Sequence, residues 1–221
     1  MSPATDPLDQ LSRLKIIPVV EVEQADDAVT LARTLADAGL PVIELTLRTP
    51  AALAAIERVA VECPDVLVGA GTLLNAQMVT AASAAGARFG VSPGLTQGCL
   101  SAAAEVRLPF IPGVVTPSDA IGALEADVRH LKFFPAEAYG GIKTLKALAG
   151  PLSATGVRFM PTGGITAANA GEYLALEAVF AVGGTWIAPR GDISAGRWSE
   201  IAERAHAASE LVRSLALETT S

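Results

Sequence analysis

A lysine in an apolar stretch is the residue of this sequence whose surroundings most favour covalent chemistry. Lys132 lies within Leu131–Pro135 (LKFFP), where burial makes an ammonium group costly. Desolvation favours the neutral amine, which can attack a carbonyl carbon and form an imine. The alternative is a strand-end lysine whose ammonium reaches solvent. Lys15, Lys143 and Lys146 are weaker candidates, because Lys15 opens a strand and the other two fall on a predicted helix.

A second charged residue inside a predicted strand is Glu44, in the segment 41–47 (PVIELTL). A buried carboxylate is costly unless it is paired or takes part in chemistry, and here it could transfer protons beside an amine. The alternative is a structural ion pair with Arg48. The planar guanidinium of Arg48 could instead bind a substrate carboxylate. The local pattern leaves both interpretations open.

Two glycine-rich segments, Pro161–Ile165 and Gly183–Thr185, follow the last two predicted strands. In α/β barrels, the loops after strands seven and eight commonly hold a phosphate through backbone N–H groups. The alternative is a pair of ordinary tight turns. A third segment, Gly69–Thr72, is only faintly similar to a dinucleotide fingerprint, because the third glycine and the later acidic residue are not convincingly placed.

These residues belong to a repeating strand–helix pattern. Eight short β-rich runs begin at Ile16, Val42, Val66, Arg88, Phe110, His130, Arg158 and Val179. The helical stretches are Asp26–Ala38, Pro50–Glu62, Ala76–Ala85, Gln97–Val106, Pro117–Leu124, Gly141–Ala149, Ala167–Leu174 and Ala195–Leu217. About eight such units predict an α/β fold, a single-domain (β/α)8 TIM barrel with an N-terminal lead-in over 1–14 and a C-terminal helix over about 195–217. A doubly wound open sheet is the alternative.

Local signals set the predicted helix limits. Thr49 and Pro50 are typical of an N-cap followed by a first-turn proline, and Gly39 and Gly86 fall where helices should end.

In a barrel, function lies at the carboxyl ends of the strands. The polar residues at the carboxyl ends of the predicted strands are therefore candidates for the functional site, and they are Glu44, Thr46, Arg48, Thr72, Ser92, Thr116, Lys132, Thr162 and Thr185.

The composition excludes several classes of protein. A net charge of −7 argues against bulk attraction to nucleic acid or anionic membranes. Two cysteines, Cys63 and Cys99, and two histidines predict neither a disulfide framework nor a metal site. The first ten residues do not resemble a signal peptide, and no apolar run is long enough to span a bilayer. We therefore expect a cytoplasmic protein.

The motifs, in this order, resemble the 2-keto-3-deoxy-6-phosphogluconate (KDPG) and 4-hydroxy-2-oxoglutarate aldolase family of the Entner–Doudoroff pathway. The resemblance runs from about Ile16 to Pro189. It rests on IELTLRT around Glu44, VGAGTLLN at 68–75, VSPG at 91–94, LKFFPAE at 131–137, MPTGGI at 160–165 and VGGTWIAP at 182–189. It implies a homotrimer of (β/α)8 barrels that needs no metal or organic cofactor.

The resemblance also assigns roles to residues. It implies that Lys132 forms the Schiff base and that Glu44 is the general acid and base. Arg48 and Thr72 would hold the pyruvate carboxylate. The implied substrate pocket is lined by Pro93, Phe134 and Thr162, and the implied phosphate site is formed by Gly163, Gly164, Gly184 and Thr185.

Two positions depart from the resembled pattern. Thr185 stands where the family usually has serine. The threonine keeps the hydroxyl group and adds a methyl group to the phosphate pocket. Glu21 stands where the family has an apolar residue or arginine. An inward Glu21 would repel an anionic substrate, whereas an outward Glu21 could pair with a helix. These departures bear on the natural substrate rather than on Schiff-base chemistry.

The implied reaction is cleavage of KDPG to pyruvate and glyceraldehyde 3-phosphate, with 4-hydroxy-2-oxoglutarate as a further substrate that gives pyruvate and glyoxylate. One alternative substrate is 2-keto-3-deoxy-6-phosphogalactonate. A different phosphate-binding barrel, such as a sugar-phosphate epimerase or isomerase, would share the glycine loops without needing the lysine. A non-catalytic metabolite sensor is a third possibility, but it would have no use for an amine beside an acid–base group.

Overall fold

The computed structural model describes residues 6–218 and consists of parallel strands that alternate with helices along the chain. The strands are β1 (Ile16–Val20), β2 (Val42–Thr46), β3 (Leu67–Gly71), β4 (Phe89–Val91), β5 (Phe110–Ile111), β6 (Gly113–Val114), β7 (His130–Phe133), β8 (Arg158–Pro161) and β9 (Val182–Gly184). The short strands β5 and β6 are the two halves of one barrel strand. They are separated at Pro112, which has no N–H to donate to a neighbouring strand.

The strand order closes the sheet on itself. One group of paired strands runs β5-β4-β3-β2-β1-β9 and another runs β6-β7-β8. Parallel bridges between Phe159 and Val179, and between Thr162 and Gly183, join β8 to β9. Because β5 and β6 are consecutive halves of one strand, the circuit of eight strands is complete. The predicted (β/α)8 barrel is confirmed, and the open doubly wound sheet is wrong.

Ten α-helices connect and surround the strands within residues 6–218. They are α1 (Pro7–Leu14), α2 (Ala25–Asp37), α3 (Ala52–Glu62), α4 (Ala76–Ala84), α5 (Gln97–Glu105), α6 (Pro117–Glu125), α7 (Gly141–Ala149), α8 (Ala170–Leu174), α9 (Arg190–Ser194) and α10 (Trp198–Glu218). Short 3-10 helices cover Glu137–Tyr139 and Gly150–Thr155. None of the helices within these residues is long and apolar enough to cross a membrane.

Three helix starts differ from the sequence prediction by two residues or more, and one of them is that of α8, which begins at Ala170 rather than at Ala167. Thr49 does not cap α3, which begins at Ala52; its hydroxyl donates instead to the carbonyl of Val22 at 2.7 Å and ties two loops together. The predicted C-terminal helix begins at Trp198 rather than near 195, because Gly196, with φ of 65°, ends the turn that follows α9.

Other local predictions agree with the structure. Gly39 and Gly86 follow α2 and α4 with φ of 84° and 93°, the left-handed conformation in which glycine commonly ends helices. The lead-in contains α1, whose N-cap Asp6 accepts a hydrogen bond from the backbone N–H of Leu8; residues 1–5 of the lead-in lie outside the described residues. Cys63 and Cys99 are buried free thiols.

Candidate active site

A cavity of about 200 Å³ opens at the carboxyl ends of the strands, where barrels carry their chemistry. Its lining includes all eleven residues predicted from the sequence: Glu44, Arg48, Thr72, Pro93, Lys132, Phe134, Thr162, Gly163, Gly164, Gly184 and Thr185. Three further lining residues, Val19, Thr46 and Ile165, were given no role by the sequence. Thr46 stood among the strand-end polar residues; its hydroxyl donates to the carbonyl of Val20 at 3.1 Å and so joins β2 to β1.

Lys132 and Glu44 form a buried pair across the inside of the barrel. They lie on β7 and β2, which are on opposite sides of the circuit of strands. The Nζ atom of Lys132 is 3.4 Å from Oε1 of Glu44, and the two side chains are 7% and 0% exposed. The alternative in which Lys132 extends to solvent is therefore wrong. So is the pairing of Glu44 with Arg48, because the carboxylate faces the amine instead.

The second carboxylate oxygen of Glu44 is a buried acceptor without a donor. Oε2 has no hydrogen-bond partner within residues 6–218. Buried polar atoms in proteins are nearly always paired, so this oxygen could accept a hydrogen bond from a bound molecule. Lys132 and Glu44 both line the cavity, so the pair combines an amine with a carboxylate oxygen that has no donor within residues 6–218.

Gly71 makes the space that Glu44 occupies. It lies opposite Thr46 in the pairing of β3 with β2. A Cβ atom at this position would be 2.3 Å from Oε1 of Glu44, so any side chain would displace the carboxylate. The sequence showed a glycine pair in Gly69–Thr72, but only the tertiary contact gives the physical reason for the second glycine.

The aromatic ring of Phe134 forms one wall of the site beside the amine. Its centroid is 5.2 Å from Nζ of Lys132, within the range of a cation–π contact. Phe134 is followed by a cis peptide bond to Pro135. Thr72 has a φ of 59°, an uncommon value for a residue other than glycine, at the point where the chain leaves β3. Pro93 and Phe134 thus add apolar surface around the polar pair.

Arg48 and Glu21 lie at the mouth of the cavity. Arg48 is 56% exposed, and one of its terminal nitrogens is 3.8 Å from Oε2 of Glu21. Oε1 of Glu21 pairs with Arg190, at the start of α9, at 2.5 Å. Of the two orientations weighed from the sequence, the structure has the one in which Glu21 pairs with a residue of a helix.

The two glycine loops present unpaired backbone donors. Gly163 and Gly164 have φ of 93° and 82°, in the left-handed region that favours glycine. The N–H groups of Gly164 and Thr185 have no backbone acceptor in the part of the chain from 6 to 218. Gly184 has a packing reason of its own, since a Cβ atom there would be 2.0 Å from the ring of Trp186.

Glu137 supports the first glycine loop and was missed by the sequence reasoning. Its backbone N–H donates to the carbonyl of Gly163 at 3.1 Å, and a Cβ atom at Gly164 would be 2.5 Å from its side chain. The buried hydroxyl of Tyr173 donates to its carboxylate. Burial, together with the neighbouring carboxylate of Glu137, raises the pKa of Tyr173 well above its usual range, so this hydroxyl remains a donor. No sequence signal joins positions so far apart.

The remaining candidates lie away from this cavity. Lys143 and Lys146 are exposed on α7. His130 packs edge-to-face against Phe180 with ring centroids 4.8 Å apart, and burial lowers its pKa. Residues 6–218 contain no group of three or more His, Cys, Asp or Glu side chains placed to hold a metal ion.

Comparison with known proteins gives one consistent match. The family model "Aldolase: KDPG and KHG aldolase" matches residues 8–204. The KHG/KDPG aldolase of Escherichia coli (strain K12) is 45% identical over 195 residues, 88% of this chain and 91% of that protein. The 2-dehydro-3-deoxy-phosphogluconate aldolase of Dickeya dadantii is 45% identical over 186 residues, 84% of this chain and 86% of that protein.

Solved structures of similar proteins carry relevant ligands. KDPG aldolase from Legionella pneumophila, with pyruvate captured at low pH as a covalent carbinolamine intermediate, aligns with a TM-score of 0.88 at 42% identity, over 92% of this chain and 98% of that one. The 2-keto-3-deoxy-6-phosphogluconate aldolase of Zymomonas mobilis ZM4 with 3-phosphoglycerate aligns with a TM-score of 0.85 at 41% identity. The alignment covers 93% of this chain and 96% of that one.

Proposed function

The chain belongs to the KDPG and KHG aldolase family, and we propose that it is a class I aldolase in which Lys132 forms a Schiff base with 2-keto-3-deoxy-6-phosphogluconate. The products are pyruvate and glyceraldehyde 3-phosphate. The observation that carries this proposal is the buried pair of Lys132 and Glu44, 3.4 Å apart, with the second carboxylate oxygen unpaired beside the cavity.

Imine formation is the first chemical step. The neutral amine of Lys132 attacks the C2 carbonyl carbon of the substrate and forms a carbinolamine. Glu44 gives a proton to the departing hydroxide, and water leaves with formation of the iminium ion. The distance from Nζ to the carboxylate suits such transfers, directly or through one water molecule. The relative from Legionella pneumophila was captured with pyruvate in a carbinolamine of this type.

Carbon–carbon cleavage follows from the electron demand of the iminium ion. Glu44 removes the proton of the C4 hydroxyl, the C3–C4 bond breaks, and its electron pair moves into the enamine. The aldehyde leaves, C3 of the enamine is protonated, and water hydrolyses the resulting imine to release pyruvate and the free amine. In this proposal, Oε2 of Glu44, which has no hydrogen-bond partner within residues 6–218, accepts the C4 hydroxyl proton.

Binding groups surround this reacting centre. Arg48 and Thr72 hold the keto-acid carboxylate, for which the guanidinium supplies a planar pair of donors. Pro93 and Phe134 cover the enamine with apolar surface, which limits the access of water. Thr162, at the end of β8, completes the wall of the pocket.

The phosphate is bound by the two glycine loops. Within residues 6–218, the N–H groups of Gly164 and Thr185 have no backbone acceptor, and the exposed hydroxyl of Thr185 adds a further donor. Gly163 lets the backbone of the first loop approach the phosphate closely. Gly184 closes the second loop and leaves room for Trp186. No charged side chain is needed for this role, because several aligned backbone dipoles bind anions well.

Steady-state cleavage of a panel of keto acids tests the proposal. The panel contains KDPG, its phosphogalactonate-derived counterpart and 4-hydroxy-2-oxoglutarate, and pyruvate release is measured for each. We expect turnover of KDPG, together with turnover of 4-hydroxy-2-oxoglutarate, as the name of the Escherichia coli relative suggests. Absence of cleavage for the entire panel by folded protein would refute the proposal and favour an epimerase, an isomerase or a binding protein.

Replacing Thr185 by valine tests the phosphate site at nearly constant shape. A hydrogen bond to a charged group contributes about 1.5–3 kcal/mol, so we expect kcat/KM for KDPG to fall about tenfold to a hundredfold. Cleavage of 4-hydroxy-2-oxoglutarate, which carries no phosphate, should be nearly unchanged. The matched control, Thr185→Ser, keeps the hydroxyl and should retain phosphate use. Equal losses on both substrates would instead assign Thr185 a structural role.

We further propose a homotrimer of single-domain barrels in the cytoplasm. The family resemblance supports the trimer, and two buried free cysteines suit a reducing compartment. With a chain mass of 22.6 kDa, light scattering at micromolar concentration should give three times that mass, about 68 kDa. A monomer mass under these conditions would contradict the proposed assembly.

A further inference from the structure

Four charged side chains form a network at the mouth of the cavity, which we call the mouth network: Glu21, Glu23, Arg48 and Arg190. Arg190 uses one terminal nitrogen to pair with Glu21 and the other to pair with Glu23. The other oxygen of Glu21 is 3.8 Å from Arg48. Glu21 therefore lies between two arginines, one of which we assign to substrate binding.

The strand order explains why these residues meet. Glu21 and Glu23 follow β1, Arg48 follows β2, and Arg190 follows β9. The strand β1 pairs with β2 on one side and with β9 on the other. The carboxylate of Glu21, which follows β1, can therefore contact side chains that follow either β2 or β9. Glu21, Arg48 and Arg190 also line a second cavity that adjoins the first through Val19, Thr46 and Thr185.

Charge and burial make Glu21 a competitor for Arg48. The side chain of Glu21 is 20% exposed, whereas Arg48 and Arg190 are 56% and 58% exposed. A partly buried carboxylate is screened less by solvent than a surface one. It therefore attracts the guanidinium of Arg48 and repels an incoming carboxylate. Arg190 lies closer to Glu21 than Arg48 does and offsets its charge.

We propose that Arg190 is a positioning residue for substrate binding: it engages Glu21 so that Arg48 remains available to the keto-acid carboxylate. This inference rests on the proposed function, because it uses the assigned role of Arg48. Without Arg190, the charge of Glu21 would act on Arg48 alone, the contact that is now 3.8 Å long would tighten, and the substrate carboxylate would have to displace Glu21. The amine and the proton-transfer group would be unaffected, so the change falls on binding and not on the chemical step.

The test uses pyruvate, which carries the carboxylate but no phosphate. The full-length protein is treated with borohydride over a range of pyruvate concentrations, and the concentration for half-maximal inactivation is measured. For Arg190→Gln we expect this concentration, and the KM for KDPG, to rise about threefold to tenfold with kcat nearly unchanged. The double variant Glu21→Gln/Arg190→Gln should return both values to near those of the wild type.

A matched control removes the same charge nearby. Arg197 pairs with Asp192 and is absent from the lining of both cavities, so Arg197→Gln should leave the half-maximal concentration unchanged. An increase in Arg190→Gln that persists in the double variant would overturn the inference, as would the absence of any increase. An effect on KDPG alone would also overturn it, and would indicate direct contact with phosphate. Wild-type protein that borohydride does not label at Lys132 would instead refute the proposed function itself.

Discussion

Replacing Lys132 by arginine should abolish aldol cleavage while leaving the barrel folded. The guanidinium keeps a positive charge beside Glu44, but it is always protonated and cannot form an imine. We expect kcat to fall by more than about 10⁴-fold, equivalent to about 5.4 kcal/mol of lost transition-state stabilisation. The measurement is steady-state pyruvate release from KDPG, together with the intact mass after treatment with pyruvate and borohydride. Wild-type protein should gain one pyruvyl adduct, and the variant should gain none.

Two further variants make this result specific. Lys132→Met removes the amine at similar side-chain length and should be equally inactive. Because this variant leaves the buried carboxylate of Glu44 without its partner, thermal unfolding is measured in parallel. Lys143→Met changes an exposed lysine on α7 and should retain full activity and labelling. Peptide mapping that found the adduct on Lys143 or Lys146 would disprove the role of Lys132.

Replacing Glu44 by glutamine should separate imine formation from carbon–carbon cleavage. The amide nearly matches the carboxylate in shape, so it fits the space left by Gly71, but it cannot accept the C4 hydroxyl proton. We expect kcat for KDPG to fall about 10²- to 10⁴-fold, the usual contribution of a general acid–base group. Slow trapping of pyruvate at Lys132 by borohydride should persist, because the amine itself is intact.

The control for this variant makes the same chemical change outside the barrel. Glu57 is exposed on α3, so Glu57→Gln should leave kcat unchanged. Circular dichroism and thermal unfolding establish whether each variant is folded. Near-normal turnover in folded Glu44→Gln would reduce Glu44 to a structural partner of Lys132, and another group would then have to move the proton.

The sequence predicted the architecture because the fold is a repetition of local patterns, although only the strand pairing excluded an open sheet. Each β–α unit shows its own apolar run and its own helical stretch, and a count of about eight units favours a closed barrel. Helix limits were less certain. The pattern at Thr49 and Pro50 is typical of a helix start, yet the hydroxyl of Thr49 bonds across to Val22. A local signal cannot reveal that a side chain has a partner on another loop.

The identities of the site residues were also readable, because costly residues in apolar strands stand out. Lys132 and Glu44 are such residues, and both line the cavity that the structure shows. Their alternative interpretations could not be excluded from the sequence. Solvent exposure of Lys132 and a pairing of Glu44 with Arg48 each satisfied the local pattern, and residues 88 positions apart carry no shared local signal.

The sequence by itself thus predicted the barrel and, through the family resemblance, eleven of the fourteen residues that line its cavity, together with the class of chemistry that an amine beside a carboxylate performs. Only the tertiary structure decided how charges are partnered: Lys132 with Glu44 across the barrel, and Glu21 between Arg48 and Arg190 at its mouth. The tertiary structure also showed that Gly71 leaves space for Glu44 and that Glu137 supports the first glycine loop. The physical reason is that propensity and periodicity act between near neighbours in the chain, whereas ion pairs and close contacts depend on which strands the barrel places side by side or face to face.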